Sequence, residues 1–165
     1  MDRSDFGRWA ATGWLAAACI VAAVWAAPGA ARDASTLTVV GPEGTHVYDI
    51  PGLMALETTE IVTSTPWSDR VERFTGVALA RLVDTSPTEG MLRLIALNDY
   101  ESAMPLAAIE DRVPIIAYLR DGEPMSVRDK GPFWVIFPFD EGGVYQSELA
   151  YSRSVWQLVR IEVTP

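Results

Sequence analysis

The sequence predicts one β-rich α+β domain behind an N-terminal leader, on three observations. From residue 37 onward the chain is built of short apolar or alternating segments rich in β-branched and aromatic side chains. Clusters of Gly, Pro, Asn and Asp punctuate them at turn positions. Only two or three stretches carry helical spacing, and each is short. Apolar residues make up 49% of the chain against 21% charged, enough to bury a real core and to argue against wholesale disorder.

The leader comes first. Arg3 and Arg8 precede an apolar run over residues 9–27, and Gly29, Ala30 and Ala31 supply small residues at the spacing a signal peptidase reads. That order describes a secretory signal peptide over residues 1–31, with the domain on 32–165 and a periplasmic mature protein. Two other readings stay open. The run just reaches the bilayer-spanning length of about 20 residues that a retained anchor needs. Ala16-Ala17-Ala18-Cys19 loosely resembles a lipidation box, without the usual Leu three positions before the Cys. Cleavage after Ala31 leaves no cysteine, so neither disulfide nor thiolate, and stability rests on packing.

Along the domain, residues 37–41 predict a strand ending at a Gly-Pro turn, and residues 46–50 a second short strand. Pro51 opens one helical turn over residues 51–56. Residues 57–65 are dense in Thr, Ile and Val and predict a strand. Residues 77–83 have apolar positions at helical spacing behind Gly76. Residues 91–97 and 100–104 are strands with Asn98-Asp99 at the corner. Residues 105–111 predict a short helix. Asp121-Gly122 joins strands over residues 113–119 and 123–127 as a hairpin, because that dipeptide accepts positive φ. Residues 133–137 form a continuous apolar strand buried on both faces. Residues 140–143 form a loop and residues 155–163 the last strand, with Val155, Leu158, Ile161 and Val163 facing the core.

Charge and composition exclude several classes. The net charge is −9, and Asp2, Arg3, Asp5 and Arg8 cancel in the leader, so the whole excess sits on the domain. Such a surface repels nucleic acid and anionic lipid; membrane contact is expected only through an uncleaved leader. One histidine, His46, and no mature cysteine rule out zinc or copper sites of the usual ligand types. The chain has no nucleophile-elbow, P-loop or dinucleotide-binding motif.

Three places carry chemistry. Asn98-Asp99-Tyr100 sets an amide, a carboxylate and a phenol at one strand corner, suited to the edge of a heterocycle. The alternative is a turn in which Asn98 and Asp99 bond their own backbone. Thr63-Ser64-Thr65-Pro66-Trp67 sets hydroxyls at a strand end, where they also serve to satisfy an edge. Arg128 and Lys130, the only lysine, flank a turn able to approach a phosphate with backbone N–H groups; a plain charged turn is the alternative. Trp67, Trp134 and Trp156 are expected in the core.

The order of motifs is more specific than any single one. Asn98-Asp99-Tyr100 is followed by Met104-Pro105, by Ala117-Tyr118-Leu119-x-Asp121-Gly122, by Gly131-Pro132-Phe133-Trp134-Val135-Ile136-Phe137-Pro138, and by Arg153-Ser154-Val155-Trp156-Gln157-Leu158. This order resembles the molybdopterin-binding domain of the sulfite-oxidase-like oxidoreductases, over roughly residues 37–163. The resemblance implies that family's α+β fold of mixed sheets with short helices, and a molybdopterin cofactor. It implies that Asn98, Asp99, Tyr100, Lys130 and Arg153 line the cofactor pocket, with Arg153 near the phosphate. Phe74-x-Gly76-Val77-x-Leu79 matches the segment that follows the family's molybdenum-ligand cysteine, which puts Ser64 or a neighbouring Thr at the metal position. A hydroxyl is a far weaker soft-metal ligand than a thiolate. Two functions are therefore expected in parallel: an exported oxidoreductase-like protein, redox-active through a bound pterin cofactor, and a non-catalytic periplasmic module that binds or senses a small-molecule or pterin ligand on the same fold.

Overall fold

The computed structural model describes residues 34–86 and 89–164; the signal peptide expected over residues 1–31, with Cys19, lies outside the described residues. Two β-sheets carry the domain. The first is built from β1 (Leu37–Gly41), β2 (Gly44–Tyr48), β5 (Met91–Ala96), β6 (Glu101–Pro105) and β10 (Leu158–Thr164), in the order β2-β1-β10-β5-β6. β1 and β10 run parallel and the other pairs antiparallel, so the sheet is mixed. The second is antiparallel: β3 (Thr58–Thr65), β4 (Ser68–Ala78), β7 (Ile115–Arg120) and β8 (Glu123–Pro124) in that order, with β9 (Trp134–Ile136) also paired to β7. Two short helices, α1 (Ile50–Met54) and α2 (Glu148–Arg153), complete the α+β fold.

Alternation along the strands builds two cores. On β7, Ile116 and Tyr118 join Leu37, Val39, Leu92, Leu94 and Ile161 of the first sheet in the larger core, while Ile115 and Ala117 join a smaller one with Ile61, Phe74 and Met125. β9 divides in the same way: Val135 faces the larger core, Trp134 and Ile136 the smaller. This is the period-2 consequence of strand geometry, and it makes residues 133–137 buried on both faces as the sequence predicts. Each such fully buried aliphatic or aromatic side chain stabilises the fold by roughly 1.5–3 kcal/mol through removal from water.

Element boundaries depart from the sequence reading where pairing overrides periodicity. Val77 and Ala78 end β4, opposite Ile116 and Ile115, instead of opening a helix; only Leu79–Arg81 coils, as a 3₁₀ turn. Apolar spacing over so short a run does not separate helix from buried strand, and pairing with β7 decides it. Asp49 is not in a strand but caps α1, its carboxylate accepting the Gly52 N–H at 2.7 Å. Residues 105–111 coil only at Leu106–Ala108, and Ile109 is already extended. β8 stops at Pro124, because Met125 turns into the smaller core and Ser126 caps a 3₁₀ turn, Val127–Asp129. α2 lies in a stretch with no predicted element. Its signal was a Ser-Glu start: the Ser147 hydroxyl accepts the Ala150 N–H at 3.2 Å.

Candidate ligand-binding site

The corner between β5 and β6 is tight. The Ala96 N–H donates to the Tyr100 carbonyl (2.9 Å), the Asp99 N–H to the Ala96 carbonyl (3.1 Å), and Asp99 takes a left-handed φ of 65°. Asn98 Oδ1 accepts the Tyr100 N–H at 3.2 Å, so the turn-forming role of this asparagine is real. Its amide nitrogen has no partner among the described residues and remains available as a donor. The Tyr100 hydroxyl donates to the Ser152 carbonyl (2.9 Å), which docks α2 against the corner.

Between that corner and α2 opens a pocket of about 200 Å³ walled by Trp67, Asn98, Tyr100, Tyr151 and Trp156, with Ala96, Ser154 and Val155 completing it. Trp67 reaches it from the turn joining β3 to β4. Its ring stands edge-on to Trp156 (centroids 5.4 Å) and to Tyr151 (6.2 Å), and is tilted against Trp134 (5.7 Å). Trp134 is buried, as expected of a core residue, but Trp67 and Trp156 are only partly buried and form walls. Aromatic pairs of this kind contribute about 0.5–1.5 kcal/mol beyond area burial, and they hold each other's planes fixed.

Lys130 supplies positive charge beside the pocket. Its turn is closed by Ser126, whose carbonyl accepts the Gly131 N–H (2.8 Å) and whose hydroxyl donates to Asp129 Oδ2 (2.6 Å). Lys130 takes a left-handed φ of 70°, and its Nζ lies 5.7 Å from the ring centroids of both Trp134 and Trp156. That is cation–π distance, and no carboxylate among the described residues pairs with the ammonium.

The remaining predicted residues go elsewhere. Asp99 belongs to the corner but is not a wall. Arg153, the last residue of α2, turns toward the first sheet: its Nε donates to the Ala103 carbonyl at 3.3 Å, and burial pushes the pKa of its guanidinium down. Ser64 sits on β3, and both its donors are spent on one carboxylate: its hydroxyl lies 2.5 Å from Asp140 Oδ1 and its N–H 2.6 Å from Asp140 Oδ2. These bonds, the hydroxyl's first, hold the Asp140 carboxyl below its ordinary pKa of 3.8. The Asp140 N–H in turn donates to Thr63 Oγ1 (3.1 Å). Phe139, beside Asp140, packs its ring on Trp67 (6.2 Å) and Tyr151 (5.6 Å), so this clamp braces two pocket walls. Sequence reasoning missed Asp140, Tyr151 and the wall role of the tryptophans; the first two belong to segments brought here only by long-range packing.

The donor set can be tested against the implied cofactor. Residues 34–164 contain no cysteine, no group of three or more His, Cys, Asp or Glu that could hold a metal ion occurs among the described residues, and Ser64 is held by Asp140. These residues offer molybdenum no thiolate and no cluster of protein donors. The aromatic walls, the Asn98 amide and the neighbouring ammonium do fit the organic part, a planar heterocycle with an anionic arm.

No family model matches the chain, and no curated protein matches it. Solved structures do. The sulfane dehydrogenase SoxCD from Paracoccus pantotrophus is similar with a TM-score of 0.57 at 16% identity, over 79% of this chain and 39% of that one. The chain thus spans well under half the length of that structure, and at such identity the likeness is one of architecture: the domain has a β-rich α+β fold of the sulfite-oxidase-like kind.

Proposed function

We propose that this domain is an exported binding module for a planar, anionic heterocycle of the pterin-phosphate class, and not a molybdenum-centred oxidoreductase. The observation that carries the reading is the pairing of an aromatic-walled pocket with a lone lysine held against one of its walls. Rings between Trp67, Tyr100, Tyr151 and Trp156 favour a flat ligand. The Asn98 amide offers a donor to a ring nitrogen or carbonyl. Lys130 offers a counter-charge beside the pocket on a domain whose net charge is −9. The Ser64–Asp140 clamp supports the non-catalytic side of the reading, since it occupies the hydroxyl that the family resemblance puts at the metal position. Among the described residues no thiolate or cluster of metal-ligating side chains supports redox oxygen-atom transfer. Secretion through residues 1–31 belongs to the same proposal, and N-terminal sequencing of the native protein tests it: Arg32 is the expected first residue.

Calorimetric titration with a pterin phosphate tests the binding reading. Saturable binding is expected, weakened by about tenfold in Trp156→Ala, the equivalent of one stacked ring contact. No saturable heat in the wild-type protein contradicts it.

A further inference from the structure

Gln157 is the least expected backbone around the pocket. It takes a left-handed φ of 50°, as do Asp99 and Lys130 nearby. Aspartate tolerates that region, and Lys130 ends a 3₁₀ turn, where left-handed residues are common. Gln157 has neither excuse, and a left-handed L residue costs roughly 1–2 kcal/mol. The chain changes sheets at this residue. Trp156 is bridged to Trp134 of the second sheet, and Leu158 pairs with Ala96 of the first.

At the crossing, Gln157 bonds three segments. Its N–H donates to the Lys130 carbonyl (3.0 Å), its carbonyl accepts the Leu97 N–H (2.9 Å), and its Nε2 donates to the Val127 carbonyl (2.7 Å). The two backbone bonds follow from the crossing itself. The side-chain bond does not: it adds a second tie to the turn that carries Lys130. Strain kept where the surroundings over-determine it marks positions held for function.

We infer that Gln157 is a positioning residue that fixes the Lys130 turn relative to Trp156 and the Asn98 corner, and so makes the pocket prefer an anionic planar ligand over its neutral counterpart. This rests on the binding function proposed above. Glycine at 157 keeps the left-handed backbone and its two bonds while deleting the amide. The tie to Val127 is lost, and the ammonium is free to leave the ring face.

The experiment measures affinity for a pterin phosphate and for the same pterin without phosphate, with melting temperature, in wild type, Gln157→Gly, Lys130→Gln and the double variant. Wild type is expected to prefer the phosphate by about fivefold, the scale of one partly exposed charge contact. In Gln157→Gly that preference disappears while affinity for the neutral pterin and the melting temperature hold. The double variant loses no more preference than Lys130→Gln alone, because both changes remove the same interaction. Gln157→Asn, which tolerates the left-handed region but is one methylene shorter, is expected to behave like the glycine variant and guards against poor folding of the latter. A preference retained in both position-157 variants, losses that add in the double variant, or equal weakening of both ligands with a fall in melting temperature overturns the inference and leaves the binding function standing. Binding of neither ligand by wild type overturns both.

Discussion

At the scale of single residues, Ser64 and Asp140 show how one pair redirects a site. The Asp140 carboxyl has its folded pKa lowered, so its contribution to stability is present above 3.8 and is lost as pH falls below that value. Asp140→Asn and Ser64→Ala are each expected to lower the melting temperature at neutral pH and to flatten its decline in acid. Melting curves from about pH 6 down to about pH 2 check this, and an unchanged acid limb in both variants contradicts the clamp. Tyr145 behaves in the opposite sense. Burial, then the hydrogen bond and charge of Glu110, push its hydroxyl up to about 12, and the phenol donates to Glu110 Oε1 at 2.7 Å. A raised pKa means this contribution is complete below the ordinary value of 10 and is lost as pH rises through about 12. Ultraviolet titration is expected to show one phenolate appearing late, and Glu110→Gln to bring it earlier.

At the scale of elements, two glycines decide whether strands and turns can approach. A Cβ at Gly76 would stand 2.2 Å from the Ile116 carbonyl oxygen, at the irregular step in the pairing of β4 with β7. A Cβ at Gly131 would stand 2.1 Å from the Met125 carbonyl oxygen, inside the turn that presents Lys130. Each neighbour is backbone and cannot swing aside, so Gly76→Ala is expected to destabilise the domain by about 1–3 kcal/mol or more, as overpacking does. Denaturant midpoints measure it, and a shift near zero contradicts this close approach of the two strands. Gly131→Ala is expected to weaken binding of the anionic ligand more than of the neutral one.

The same scale shows why some elements were legible. Residues 58–65 and 133–137 declare themselves through β-branched and apolar runs, and the Asp121-Gly122 hairpin through its turn. β4 does not declare itself. Its first half is polar, and Glu72 is buried there at 4% exposure with Arg70 at 3.3 Å and Arg120 at 3.8 Å, while its Oε2 has no partner among the described residues. A carboxylate inside a strand is tolerated only because guanidinium groups from the same strand and from β7 come to it, and that is long-range information. Trp67 and Trp156 were hidden for a related reason. An indole suits a core and a wall equally well, and only the geometry of the corner, α2 and the β3–β4 turn separates the two uses.

At the scale of the whole molecule, two sheets share one large core, and the candidate pocket lies where the chain crosses between them. The architecture was legible because the ordered motifs span nearly the whole domain. Of the residues expected from sequence, Asn98 and Tyr100 wall the candidate pocket and Lys130 stands beside one wall, while Ser64 and Arg153 are engaged elsewhere in hydrogen bonds that spacing cannot reveal. The fold is similar to that of a sulfane dehydrogenase at 16% identity, while the function proposed above is recognition of an organic ligand. The most direct test of that claim is elemental analysis for molybdenum and tungsten on protein purified from its own compartment without added metal, paired with fluorescence of oxidised pterin released by acid. The account predicts no stoichiometric metal in a folded, monodisperse sample, with any pterin released being metal-free. Molybdenum or tungsten at one equivalent together with pterin would contradict it, and would mean that a ligand other than cysteine holds the metal.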